Sequence, residues 1–349
     1  MNDPSRQTAL FFVASTALLG TAASFAMLIR LSGRLRRKEP ILPRAPHQPV
    51  PWGLAEVLLV AAGYLGLWAA VHAVDRALFG PLATPAVRAL GGLPGASVAS
   101  RASPSRPPAG PMAPSEALEL PGRPRQPADV NHPLIRLIRQ RPHWTTLVGA
   151  LVVAALIAPV VEEFLFRLVL QGWLESLETR FRRYFALGQR AEGVVPVLLV
   201  SAAFAALHYR EAEPPEQTEA LVRAFGCHAV ASLATLLFGI MCLRGLSGAT
   251  LGDLGIQPGM IGSDIRLGLG AFLTVAAPIY GVQIALSLIL PALVSRPIAP
   301  DPITLGLFAI VLGALYSRTH RIVPAITLHM ALNGTSVLLA WFTLPLLEG

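Results

Sequence analysis

The sequence predicts an all-α polytopic membrane protein, a bundle of about eight transmembrane helices. Three observations predict it. Of 349 residues, 53% are hydrophobic and only 14% charged, and the mean hydropathy is +0.57; an average soluble domain carries about 25% charged residues. Apolar runs near the length of about 20 residues that crosses the hydrocarbon core recur along the chain. The basic residues cluster between those runs. This composition argues against a soluble globular enzyme, and the apolar runs argue against a disordered chain.

Taken in order, the expected spans are 8–29, 53–75, 145–171, 194–210, 224–243, 266–294, 303–317 and 322–345. The first has the look of a signal peptide, but it lacks a basic leader and is followed at once by Arg30, Arg34, Arg36, Arg37 and Lys38, as a retained anchor would be. The runs 194–210 and 303–317 are short for a crossing. Residues 30–52, 172–193 and 318–321 are Arg-rich, whereas 211–220 is acidic and 295–302 nearly neutral. By the positive-inside rule this alternation predicts an N-terminus outside and the basic connections in the cytoplasm, as in a multi-pass protein of a bacterial inner membrane. The Arg-bearing loop 76–143 would lie outside, and loops of that length count little in the rule.

Within this loop, residues 103–127 hold eight prolines in 25 positions. That density cannot build a helix, so the segment reads as a semi-extended linker. The expected organisation is a two-span anchor over 1–80, a Pro/Arg-rich linker over 81–140, and a six-span domain over 141–349 with an inserted region at about 211–300. The net charge of +8 is almost wholly arginine, and no aromatic-interleaved basic stripe is present, so the expected surroundings are lipid and not nucleic acid. Cys227 and Cys242 lie in apolar sequence and read as small buried hydrophobes.

Charged side chains at bilayer depth cost at least about 2.5–3.5 kcal/mol and are tolerated mainly where they face a protein interior. Three places break the apolar rule. In Glu162-Glu163-x-x-x-Arg167 the two carboxylates point about 100° apart around a helix. Glu163 and Arg167 stand in the favoured i, i+4 order for a structural ion pair, and Glu162 is off that line. Glu162 either caps a neighbouring helix or acts as a general base. In Phe204-x-x-x-His208 the histidine is either an interfacial hydrogen-bonding residue or a catalyst. In His329-x-x-x-Asn333 an imidazole and an amide share one face, either as interhelical hydrogen bonds or as a reactive pair. His72 and Asp75 read as snorkelling residues, His228 as a lone interhelical hydrogen bond, and Asp253, Asp264 and Arg266 as solvated loop residues. Counting from span ends puts Glu162 and His329 in the cytoplasmic half but His208 nearer the outside, unless a tilt or a break near Pro196 levels them.

The set contains a base to activate water and donors for a developing oxyanion, as amide hydrolysis requires. Gly-x-Ser-x-Gly and His-Glu-x-x-His are both absent. A metal site assembled from Glu162, His208 and His329 is open on ligand type, since two histidines and a carboxylate suit zinc.

The three motifs in order resemble those of the CPBP intramembrane proteases, a family that includes type II CAAX prenyl endopeptidases and bacteriocin-processing proteins. The stretch Leu312 to Thr319 leading to His329 is similar to the final helical hairpin of that family. The resemblance implies an endopeptidase acting on membrane-associated protein or peptide substrates through a cavity reached from the cytoplasmic side. It implies that Glu162 activates water with the help of His208, that His329 and Asn333 stabilise the oxyanion, and that Glu163 and Arg167 hold the first motif helix, with Phe204 in support. It leaves open whether zinc takes part or a glutamate and a histidine work alone. The match covers about 144–210 and 303–345, and 121 positions separate His208 from His329, more than is usual in the family. Two other readings fit the same residues: a catalytically silent relative that scaffolds a partner helix, and a transporter-like protein with buried Glu and His.

Overall fold

A computed structural model describes residues 4–46, 49–80, 133–184, 192–208, 218–293 and 301–347. Among them the chain is helical, with no strand: α1 (Pro4–Arg36), α2 (Leu54–Phe79), α3 (Pro133–Gln140), α4 (Trp144–Tyr184), α5 (Val194–Leu207), α6 (Thr218–Leu246), α7 (Ile261–Leu293), α8 (Asp301–Thr319) and α9 (Ile322–Leu347). Seven of these, all but α3 and α5, are long and apolar enough to cross a membrane. The protein is an integral multi-pass membrane protein with an all-α bundle.

The core lies where α4 is wrapped by α5, α6, α8 and α9. Trp52, Val60, Phe164, Leu168 and Leu243 form one buried cluster, and Phe308, Leu312, Leu315 and Leu328 another. In a bilayer, apolar side chains gain little by leaving lipid, so close backbone approach and polar links must hold the helices together. Gly239 lets α6 approach α4: a Cβ there would come within 2.5 Å of the Phe164 ring. Gly268 does the same between α7 and α9, where a Cβ would meet the Pro324 carbonyl at 2.6 Å.

Polar links tie the Arg-rich end of the bundle. Ala45 N–H donates to the Arg318 carbonyl, Val50 N–H to Ser176 Oγ, and Ile322 N–H to the Gly255 carbonyl. The segment joining α1 to α2 is thus laced across the ends of α4 and α8.

Several expectations are corrected. The span expected at 194–210 is a helix of 14 residues ending at Leu207, about 21 Å long and too short to cross the core. The third span runs on to Tyr184, so Arg180, Arg182 and Arg183 sit on a helix and not in a loop. Asp264 is not solvated: α7 begins at Ile261, and Asp264 is fully buried in an ion pair with Arg321. Nor does Asp75 snorkel. It is buried on α2 and accepts from Arg223 of α6 at 2.8 Å, an ion pair that carries the N-terminal helices onto the rest. Residues 81–132 of the expected linker, 211–217 of the acidic connection and 295–300 of the neutral one lie outside the described residues. The last part of the linker forms α3, which buries Leu134, Leu137 and Ile138. Cys227 is buried and Cys242 half-buried, and both are free thiols.

The Asp264–Arg321 pair yields a test. Arg321→Ala leaves a buried carboxylate uncompensated and is expected to cost about 3–5 kcal/mol. Asp264→Asn combined with Arg321→Met is expected to recover most of that. Thermal unfolding in detergent, followed by tryptophan fluorescence, measures both.

Candidate active site

Two π-helical stretches, Leu151–Ile157 and Phe164–Gln171, flank the α-helical turn Ala158–Glu163 that carries both glutamates. In π geometry each N–H reaches five residues back, as Ala158 N–H does to the Val153 carbonyl and Gly172 N–H to Arg167. The looser backbone leaves carbonyls to side chains of other elements. Trp52 Nε1–H donates to the Val169 carbonyl at 3.2 Å, and Asn333 Nδ2–H to the Ala154 carbonyl at 2.9 Å.

Glu163 is the hub of the buried part. Its Oε2 is 3.3 Å from Arg167 Nε, the ion pair the i, i+4 spacing predicts, and both side chains are 0% exposed. Its Oε1 accepts from His329 Nδ1 at 2.8 Å, a link between α4 and α9 that spacing alone does not reveal. Arg167 also lies over the Phe204 ring, 5.5 Å from its centroid. Phe204 in turn stacks on His208 at 4.2 Å and meets His329 edge-on at 6.2 Å. One fully buried ring therefore sets both imidazoles and the guanidinium.

Glu162, about 100° round the helix from Glu163, faces a space shared by two imidazoles. Its Oε2 stands 3.8 Å from His208 Nε2 and 3.7 Å from His329 Nε2. Each imidazole is held by its other nitrogen: His208 Nδ1 donates to the Phe204 carbonyl at 2.7 Å, and His329 Nδ1 to Glu163. With Nδ1 committed as donor, the Nε2 of a neutral ring carries a lone pair, and that of a protonated ring is an N–H. Both point at the same carboxylate oxygen. The side chains of Glu162 and His208 are 24% and 28% exposed, against 3% for His329, so the site is open on the Glu162–His208 side and closed behind.

The expectation that His208 lies nearer the outside than its partners is thereby corrected. α5 is a half-length helix, and its last turn ends level with Glu162. Asn333, expected beside His329, is on the same face but spends one N–H on α4. His228, read as a lone interhelical residue, lies within electrostatic reach of Glu162. Its link to Glu162 was passed over, since it matches none of the three motifs. Gln171 and Glu175 were passed over too. Gln171 Nε2 donates to Glu175 Oε1 at 2.8 Å and to the Gly313 carbonyl at 2.9 Å, bracing α4 against α8.

Among the described residues, no group of three or more His, Cys, Asp or Glu is spaced to hold a metal ion. Glu162, His208 and His329 nevertheless have the donor types of a zinc site, with both Nε2 atoms within 3.8 Å of Glu162 Oε2. A carboxylate faced by two oriented imidazoles inside a helical membrane bundle has the group types that general acid–base hydrolysis uses.

Residues 144–251 match the family model described as type II CAAX prenyl endopeptidase Rce1-like. This segment is similar to the type II CAAX endopeptidases of the CPBP family, the family the motifs resemble, and the match supports a CAAX-protease-like intramembrane endopeptidase at family level. The matched segment contains Glu162, Glu163, Arg167, Phe204 and His208 and ends before His329 and Asn333, which the geometry adds. No curated protein and no solved structure matches the chain.

The two adjacent carboxylates are expected to separate experimentally. Arg167→Met strips the counter-charge from fully buried Glu163 and should cost about 3–5 kcal/mol of stability. Glu162→Gln, at a half-open position, should stay within about 1 kcal/mol of wild type. Detergent thermal unfolding of the two variants side by side measures the difference.

Proposed function

We propose that the protein hydrolyses peptide bonds of membrane-associated protein or peptide substrates, with Glu162 as the general base. The observation that carries this reading is the approach of His208 Nε2 and His329 Nε2 to one oxygen of Glu162, each within 3.8 Å, from three separate helices. A water held between Glu162 Oε2 and His208 Nε2 gives its proton to the carboxylate as its oxygen attacks the scissile carbonyl carbon. His329, protonated on Nε2, donates to the resulting oxyanion, and its Nδ1–H stays on Glu163. Asn333 supplies a second donor. The proton taken by Glu162 passes to the leaving nitrogen, the C–N bond breaks, and an acid and an amine depart.

Stripped of solvent, such donors act in low dielectric and are worth more than in water. Glu163, Arg167 and Phe204 touch no substrate in this scheme and position the imidazoles. The scheme is written without a metal step; Glu162, His208 and His329 also carry the donor types that would hold zinc, and the chelator arm of the test below separates the two. The Arg-rich connections support an orientation in a bacterial inner membrane with the N-terminus outside, and the polar opening beside Glu162 supports access by an extended segment of a membrane-anchored substrate.

The test uses protein in lipid nanodiscs with a library of membrane-anchored peptides. Wild type is expected to cleave, Glu162→Gln to lose about 10²–10⁴-fold in kcat, and EDTA to leave the rate unchanged. Cleavage that survives Glu162→Gln would remove the proposed base; loss with chelator in otherwise folded protein would replace the metal-free scheme.

A further inference from the structure

Position 159, which none of the motifs includes, acts on the site through a missing hydrogen. In the first π-helical stretch of α4, hydrogen bonds run five residues back, and the last of them goes from Ala158 N–H to the Val153 carbonyl. In the same register the next donor belongs to residue 159 and the next acceptor is the Ala154 carbonyl. Residue 159 is proline and has no N–H to give. Inside a bilayer no solvent stands ready to replace that donor, so the Ala154 carbonyl must find another. It finds Asn333 of α9, whose Nδ2–H donates to it at 2.9 Å.

A carbonyl oxygen only accepts, so this contact decides which way the Asn333 amide faces: nitrogen toward α4, oxygen away. The amide nitrogen carries two hydrogens. One is anchored on Ala154, and the second is left at a fixed bearing, on the helix face that Asn333 shares with His329 one turn earlier. An unanchored amide can turn over and present its oxygen instead, which repels an oxyanion.

We infer that Pro159 is a positioning residue of the hydrolytic site: by withholding its N–H it reserves the Ala154 carbonyl as the anchor that presents the Asn333 amide N–H to the developing oxyanion. The inference rests on the hydrolytic reading above for its catalytic half, and on the hydrogen bond alone for its structural half.

Pro159→Ala supplies the missing donor and lets the backbone compete for Ala154. The chain has three asparagines, Asn2, Asn131 and Asn333, so selective 15N-asparagine labelling yields three side-chain amide signals, and Asn333→Ala identifies the relevant one. In wild type its two hydrogens are expected to be well separated in shift, with the anchored one slow to exchange. In Pro159→Ala the separation should shrink, exchange should quicken about tenfold or more, and kcat should fall about tenfold with KM within about twofold. Lactic acid installed at position 159 removes the N–H again without the proline ring, and it should restore both the amide signal and kcat. An Asn333 signal and a kcat that ignore Pro159→Ala overturn the inference, as does a lactic acid variant no better than Pro159→Ala. If wild type cleaves nothing, the hydrolytic reading falls and takes the catalytic half with it, whereas the amide signal still upholds or overturns the anchor.

Discussion

The arrangement depends on one carboxylate that the proposed scheme leaves out of bond-breaking. Glu163 is fully buried and shared by Arg167 on its own helix and His329 on α9. A buried charge is tolerable only when it is compensated, and here one oxygen accepts a hydrogen bond from His329 while the other is ion-paired with Arg167. That requirement locks α4 and α9 in rotation and depth relative to each other. It also fixes the tautomer of His329, so the Nε2 atom is turned toward Glu162. In the proposed scheme the neighbouring glutamate does the chemistry because Glu163 is committed to structure.

The same requirement explains how a long insertion leaves the site intact. Between His208 and His329 the chain makes α6, α7 and α8, and each is tied back by a polar contact. Asp75–Arg223 joins α6 to α2, Asp264–Arg321 joins α7 to the start of α9, and Gln171 joins α8 to α4 through the Gly313 carbonyl. Glycines at 239 and 268 permit the close approach these contacts need. Sequence distance is therefore no measure of separation in this bundle, and the enlarged connection adds walls around the motif helices without displacing them.

What was legible in the sequence follows from the physics of each signal. Apolar length and the i, i+4 pair Glu163–Arg167 are local, and both could be read from spacing. The in-order motifs pointed to Glu162, His208 and His329, and the distances bring these together. Depth was misread for His208 because span counting assumes that every apolar run crosses, whereas α5 stops after 14 residues. The buried pairs of Asp75 and Asp264 were missed because each partner is remote in sequence, and a charge near a span end looks the same whether it meets water or a guanidinium. The second bond of Glu163, to His329, was hidden for the same reason. The π-helical register of α4 leaves no mark in composition, so neither the open Ala154 carbonyl nor the proline that opens it stood out.

The central claim is that Glu162 and His329, on different helices, act as one unit on one bond. A double-mutant cycle on kcat/KM for cleavage of a membrane-anchored peptide tests it most directly. Groups that work as a unit are grossly non-additive, so Glu162→Gln with His329→Ala should be within about threefold of the worse single variant. Losses that multiply across the two positions would show that the carboxylate and the imidazole act independently, and would contradict the account.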